Sequence, residues 1–435
     1  MKVLLAGAGG FIAGRLRRDL HEAGHELVLG LRRLPPDLRS REEWLPLDFA
    51  HPDPARWQAG LVGVECVFNG IGILREQRTQ SFAALHVEGP RRLLDACVAA
   101  GVRRIVHLSA LGADADAQSA YHRSKRDGDA LVLASPLEAF VVQPSLVFGP
   151  GGASARLFVA LASAPLLLLP AGGRQRLQPI HLDDLAEALM RLVVAPPSAL
   201  AGRRIALVGP RAFELRDYLQ ALRRSLDLEP AAAVAMPSPL VNVAAALGSR
   251  LPQLPFDRET WGMLQRGNVA PADDTCALLG RAPRPAEDFV APGLGVDLRR
   301  GAALAWLLPL LRISVALVWL WTAVVSLGLY PAEASFELLA RTGLTGPAAS
   351  LALYGAALLD LAFGVGSLVL RRRRRLWLAQ IVLVLGYTVI ISLRLPEFWL
   401  HPYGPVLKNL PLLAVLLLLW TLDDGEPAAR RKRSA

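Results

Sequence analysis

The sequence predicts an α/β protein: a doubly wound parallel sheet with a small second lobe, followed by an all-α four-helix transmembrane bundle. Three observations carry that expectation. Short apolar runs alternate with helical stretches near the start of the 435 residues, the pattern of a parallel sheet covered on both faces. A glycine-rich turn follows the first apolar run. Beyond residue 300 four mostly apolar stretches appear, each about long enough for a ~30 Å hydrocarbon core.

In order, 3–6 reads as a buried strand and 11–23 as a helix. Strands follow at 26–29, 64–68, 104–108 and 139–142, with helices at about 79–100 and 119–134. Residues 151–295 are looser and rich in Pro, Gly and Ala, with one strand-like stretch (203–208) and one helix-like stretch (214–226). Too few strands remain there for a second large sheet, so 151–295 is read as mainly a substrate lobe completing a 1–295 domain.

The next domain spans 301–425. Its first apolar stretch carries Pro309 and Arg312, so 301–310 is read as an interfacial approach. The expected spans are then about 311–330, 350–370, 376–395 and 405–422. Arg299 and Arg300, the run Arg371 to Arg375, and Arg430, Arg431, Lys432 and Arg433 in a basic tail (426–435) fall on one side; the opposite loops hold only Arg341. Basic loops stay cytoplasmic. The expectation is a multi-pass protein of the inner (plasma) membrane, with the N-terminal domain and the C-terminus cytoplasmic. Trp377, Trp399, Trp420 and Tyr330 near span ends read as interface anchors.

Composition narrows the function. The chain is 53% apolar and 20% charged, with net charge +10. From residue 301 onward it holds 13 Lys and Arg against 7 Asp and Glu, so the rest of the excess is dilute and implies no nucleic-acid partner. Cys66, Cys97 and Cys276 are widely spaced; they form no metal-ligand pattern and read as small core residues in a reducing compartment.

The first strand runs into Gly7-Ala8-Gly9-Gly10-Phe11-Ile12-Ala13-Gly14. Between a strand and a helix, such glycines let the backbone approach a pyrophosphate, and the free N–H groups of the helix start attract it. Gly7, Gly10, Phe11 and Ile12 are the candidate contacts of this Rossmann-type turn. The second strand ends Leu29-Gly30-Leu31-Arg32-Arg33. An acid here would bind a ribose 2′-hydroxyl, whereas Arg32 and Arg33 suit a 2′-phosphate. NADP(H) is therefore favoured, with NAD(H) open. Asp48 is placed to reach an adenine edge or to cap the next segment.

Tyr121 and Lys125 stand four apart, with Ser109 twelve residues before Tyr121 at a strand end. Positions i and i+4 share a helix face. A lysine ammonium beside a phenol lowers its pKa toward the working range, so Tyr121 is the candidate acid/base, Lys125 its tuner and ribose contact, and Ser109 a donor to the same substrate oxygen. The other lysines (Lys2, Lys408, Lys432) lie near a terminus or in the membrane part.

These residues resemble the extended and atypical short-chain dehydrogenase/reductases, in particular the branch holding the 39-kDa subunit of respiratory complex I. The likeness covers roughly residues 1–290 through Gly7-x-x-Gly10, Asp48, Val67-Phe68-Asn69-Gly70, His107-Leu108-Ser109-Ala110, Tyr121 with Lys125, and Gln143-Pro144-Ser145. It implies that Pro144 and Ser145 lie against a nicotinamide, and Asn69 is counted with the cofactor contacts on the same ground. His86 stands where many members have Asn, and Gln143 where Arg is frequent. Residues 305–422 resemble the DoxX-like four-helix membrane family, most fully over Pro396-Glu397-Phe398-Trp399 and onward to Pro411; the resemblance implies a respiratory-membrane setting, with quinone-linked chemistry in some members of that family.

Asp360 falls inside the second span, where a carboxylate costs about 2.5–3.5 kcal/mol and should face the bundle interior. Arg312, Arg394 and Lys408 are its possible partners; the alternative is a neutral, hydrogen-bonded carboxyl. The resulting expectation is a membrane-anchored NAD(P)-dependent oxidoreductase acting on a carbonyl or hydroxyl carbon of a lipophilic small molecule, in contact with the lipid bilayer and with a possible respiratory-chain or quinone partner. The alternative is a non-catalytic, NADPH-binding assembly or stability factor of a respiratory complex.

Overall fold

The computed structural model describes residues 1–77, 79–250, 256–291 and 293–423. The tail cations Arg430, Arg431, Lys432 and Arg433 lie outside the described residues. The chain divides into two compact units, Met1–Ala302 and Ala303–Ala435.

The first unit is built on seven parallel strands: β1 (Lys2–Ala6), β2 (Glu26–Leu31), β3 (Glu42–Pro46), β4 (Cys66–Asn69), β5 (Arg104–Leu108), β6 (Glu138–Pro144) and β7 (Arg203–Leu207). Their order across the sheet is β7-β6-β5-β4-β1-β2-β3. The chain reverses direction across the sheet between β1 and β4, and a crevice opens at the strands' carboxyl ends at such a switch point.

Alternation along β1 shows why the sheet is covered twice. Val3 and Leu5 face one core with Leu16 and Leu20 of the helix Phe11–Glu22 and Leu185 and Leu189 of the helix Leu182–Val194. Leu4 and Ala6 face the other core, with Leu93 and Leu94 of the helix Gly89–Ala99. β3, absent from the expected strands, reads Glu-Glu-Trp-Leu-Pro. As the edge strand it tolerates charge and a terminal proline, so it carries little apolar signal. Its Glu42 takes a forked pair from Arg17 of the first helix, Nε to Oε1 at 2.8 Å and Nη2 to Oε2 at 2.5 Å.

Within 151–295 two elements belong to the sheet layer rather than to a lobe. β7 extends the sheet beside β6, and Leu182–Val194 packs on its face. The lobe proper has its own core, in which Phe158, Leu167, Leu169, Tyr218 and Leu222 are buried with Phe289 and Ala302. Cys66 and Cys97 are buried small side chains of the second core, and burial pushes both thiols up to about 12. Cys276 is half-buried.

The second unit is helical. Among the described residues three helices are long and apolar enough to cross a membrane: Gly295–Leu329, Gly346–Val369 and Arg374–Arg394. The first runs through Pro309 without a break, so the expected interfacial approach at 301–310 is part of that helix. The fourth expected span corresponds to Asn409–Leu422, 14 residues, or about 21 Å at 1.5 Å per residue. That is short of a full crossing. A further helix, Ala332–Arg341, occupies the first connecting loop, where Arg341 pairs with Glu397 of the other loop.

Two expectations inside this unit are corrected. Trp377 is no interface anchor: it is fully buried and donates to Asp423 Oδ2 at 3.0 Å. Arg312 pairs with that same Asp423, not with Asp360. The two carboxylates differ because Asp423 sits at a helix end, where Arg312, Arg373 and Trp377 converge. Asp360 faces inward at 9% exposure, beside Thr322.

Candidate active site

The glycine turn has the geometry expected of it. Gly7 sits at φ +80°, and a Cβ there would meet Ile71 Cγ1 at 3.1 Å and the Gly70 backbone at 3.3 Å. Only glycine suits both demands. Gly10 caps the helix Phe11–Glu22 without a side-chain hydrogen bond, and no acid lies in the first turn. The helix N–H groups thus meet no competing anion. Phe11 lies under the 149–152 loop, close to where Cβ atoms on Gly149 and Gly152 would sit, and Ile12 packs against the first core. Arg32 and Arg33 follow β2 and are exposed, with no ion pair among the described residues. Asp48 takes the capping role: Oδ1 accepts from Ala50 N–H at 3.0 Å and Oδ2 lies 3.2 Å from His51 Nδ1.

Lys125 and Tyr121 lie on the helix Ala120–Leu133, and Ser109 directly follows β5. Opposite them a short π-helical stretch, Ala83–Glu88, carries His86. The two can approach because Gly128 has no side chain; a Cβ there would stand 2.2 Å from the His86 carbonyl oxygen.

His86 Nε2 accepts from Ile73 N–H at 3.1 Å, which assigns the ring proton to Nδ1. Nδ1 lies 2.8 Å from Ser124 Oγ, which in turn donates to the Tyr121 carbonyl. Burial and the Lys125 charge hold His86 down to about 3, so it stays neutral. The His86 and Tyr121 rings meet edge to face at 5.8 Å.

The expectation that Lys125 lowers the Tyr121 phenol is not met. The Lys125 ammonium donates to the Leu108 carbonyl at 2.9 Å, and its field falls on His86 and His107. Burial, reinforced by Asp129, instead pushes Tyr121 up to about 12. Lys125 itself is drawn down to about 8 by burial, against the pull of Asp129. The phenol is therefore protonated at neutral pH and the lysine mostly charged.

Beneath this pair lies a network the sequence reading passed over. Asp129 is fully buried one turn beyond Lys125. Its Oδ2 accepts from Gln143 Nε2 at 3.0 Å, Arg204 Nε is 3.6 Å away, and His107 Nε2 is 3.7 Å from Oδ1. Burial raises Asp129 to about 6, opposed by Ser109, Gln143, Lys125 and Arg204. Ser109 Oγ is buried beside it without a well-formed hydrogen bond to protein. The signal was available: positions 121, 125 and 129 repeat at four-residue spacing on one helix face.

Asn69, closing β4, is buried and turns inward. Its Nδ2 lies 3.1 Å from His107 Nδ1 and its Oδ1 accepts from Ile71 N–H at 3.3 Å. Pro144 closes β6, and Ser145 Oγ donates to the Gln178 carbonyl at 2.5 Å. Asn268 joins two loops of the site, accepting from Leu146 N–H at 2.9 Å and donating to the Leu111 carbonyl at 3.4 Å. Beside it Arg266 donates to the Gly112 carbonyl at 2.7 Å and pairs with Asp114. The glycine cradle and the uncapped helix start fit the phosphates of a dinucleotide, and Ser109, Tyr121 and Lys125 lie at the carboxyl end of β5 in the same sheet.

Residues 3–207 match the NAD dependent epimerase/dehydratase family, and residues 316–417 the DoxX-like family. The first unit thus carries an epimerase/dehydratase-type nucleotide-binding domain. That domain is 26% identical over 162 residues to the NADH-ubiquinone oxidoreductase 40 kDa subunit of Neurospora crassa, covering 37% of this chain and 42% of the relative. It is 29% identical over 197 residues to the ceramide reductase of Caulobacter vibrioides, covering 45% of this chain and 61% of the relative. The chain thus spans less than two thirds of either relative. MoeE5, solved in complex with UDP-glucuronic acid and NAD, shares the fold at TM-score 0.51 and 21% identity, over 70% of this chain and 98% of its own. The DoxX-like domain and the apolar helices mark a membrane protein.

Proposed function

We propose that this chain is an NAD(P)-dependent oxidoreductase of the inner membrane that reduces a carbonyl group on a lipophilic small molecule. The observation that carries the reading is the cluster of buried Ser109 and Lys125 with the half-buried Tyr121 at the carboxyl end of β5, in a domain of epimerase/dehydratase type. A bound reduced nicotinamide supplies the hydride. The protein's part is the proton and the alignment: Tyr121, protonated at neutral pH, gives its hydroxyl proton to the substrate oxygen, and the Ser109 hydroxyl donates to the same oxygen. Burial keeps the phenol protonated at neutral pH, so the proton that a reduced carbonyl oxygen takes up is in place.

Gly7, Gly10, Phe11 and Ile12 are assigned to the dinucleotide phosphates, Lys125 to the ribose, and Asn69, Pro144 and Ser145 to the nicotinamide side. Exposed Arg32 and Arg33 favour a 2′-phosphate and hence NADP(H) over NAD(H). Asp48 already caps its own turn, so its adenine contact is assigned only to the Oδ2 edge. A lipophilic substrate is supported by the membrane unit and by the likeness to a ceramide reductase. The N-terminal domain is assigned to the cytoplasm from the Arg371 to Arg375 run, and the C-terminal side with it, because Asp423 at the end of the last helix pairs with Arg373 of that run.

The likeness to a respiratory-complex subunit favours a second reading, in which a bound dinucleotide stabilises a non-catalytic partner of a respiratory or quinone-linked complex. Tyr121→Phe separates the two. With nucleotide binding retained, reduction of lipophilic ketones by the detergent-purified protein should fall by at least about 100-fold, the usual contribution of a positioned acid. Unchanged turnover would remove the catalytic reading.

A further inference from the structure

Between Glu229 and Arg250 the chain carries no charged residue for 20 positions. In a chain with 20% charged residues such a stretch is ordinarily hidden in a core. Here it lies on the surface of the first unit. It forms the strand Ala232–Met236 and, after Pro237, the helix Ser238–Arg250.

The strand pairs with Leu166–Pro170, Leu166 opposite Ala232 and Leu168 opposite Val234. Alternation sends Leu167 and Leu169 into the lobe core at 2% and 3% exposure, while Leu166, Leu168 and Val234 stand outward at 41%, 54% and 46%. The helix divides in the same way. Val241 and Ala245 are buried with Trp261. Leu240, Val243 and Leu247, at i, i+3 and i+7, are 60%, 58% and 53% exposed. The strand Leu166–Pro170 and the helix Ser238–Arg250 thus present aliphatic faces to the outside with the correct period for each, joined by the exposed strand Ala232–Met236, whereas scattered surface apolar residues show no such order.

The chemistry of the face points to lipid. Protein interfaces concentrate Tyr, Trp and Arg at their centres, and the outward residues named above are all Leu and Val. The chain's course points the same way. Phe289 and Ala302 are part of this lobe's core, and the helix that begins at Gly295 is long and apolar enough to span a bilayer. The lobe is therefore covalently held at a membrane surface. We propose that Leu240, Val243 and Leu247, together with Leu166, Leu168 and Val234, form a monotopic contact that sits at the headgroup–acyl boundary of that membrane.

The test uses the full chain with Cys276→Ser, leaving the two buried thiols, reconstituted in phosphatidylcholine vesicles. A bimane label is placed on Val243→Cys, on Leu240→Cys, or on Arg91→Cys as an exposed control. Each position is on the surface, and each labelled protein is first required to keep the parent melting transition; the two face positions stand in for one another. With doxyl-labelled phosphatidylcholine the labels at 240 and 243 should lose roughly half their fluorescence and resist aqueous iodide, while the label at 91 shows the reverse. Iodide quenching at 240 and 243 equal to that at 91, with no effect of doxyl lipid, would overturn the proposal. Shielding from both quenchers would also overturn it, since a second copy or another protein would then cover the face. Turnover is not read, so the outcome is independent of the catalytic assignment.

Discussion

At the scale of single residues, Lys125 decides the pH behaviour. Its ammonium is buried against the Leu108 carbonyl and titrates near 8, below its usual value. Because the shift is downward, the charge is present below pH 8 and is lost as pH rises through it. Reductase activity should therefore hold through neutrality and fall by about tenfold per unit above pH 8, as read from a pH profile of kcat/KM. Lys125→Met should abolish that limb together with most of the activity. Tyr121 and Lys125 were legible in the sequence because a rare lysine four residues after a tyrosine stands out. Their electrostatics were not. A spacing rule places side chains on one face, but burial sets the sign of a phenol's shift, and the rings packed on Tyr121, Phe82 and His86, arrive from another part of the chain.

Among secondary-structure elements, the close approach of the π-helical stretch Ala83–Glu88 to the helix Ala120–Leu133 sets the His86 ring against Tyr121. Gly128 permits that approach, since its missing Cβ leaves room for the His86 carbonyl. Gly128→Ala should push the two apart, lowering stability by about 1–3 kcal/mol in spite of alanine's better helix propensity. Differential scanning calorimetry would show the loss, and the His86–Ser124 bond should break first. The sheet strands with pure apolar runs were readable from sequence, as was the helix 119–134. β3 was not, because an edge strand need not be apolar. The π-helical start of the helix expected at 79–100 was also hidden, since one extra residue in a turn leaves almost no periodic trace.

For the molecule as a whole, two units with different solvents share one chain. The membrane unit was legible from hydropathy, but which acid each cation meets was not: Arg312 was one of three possible partners for Asp360, and folding brings it to Asp423 instead. Two arginines and an indole N–H depend on that carboxylate. Asp423→Ala leaves them without it, and removing one member of a buried ionic cluster costs about 3–5 kcal/mol. The variant should melt at a clearly lower temperature in detergent by intrinsic tryptophan fluorescence, with Trp377 as a direct reporter.

Asn268 and Arg266 have a mechanical consequence. They come late in the chain, yet they grip the Leu111–Gly112 turn beside Ser109 and the Leu146 backbone beside the Pro144–Ser145 turn. A shift of the 266–268 segment cannot leave either turn behind. Closing over a guest molecule and aiming the serine hydroxyl at it would then be one movement, as when a latch and its bolt are cut from a single piece.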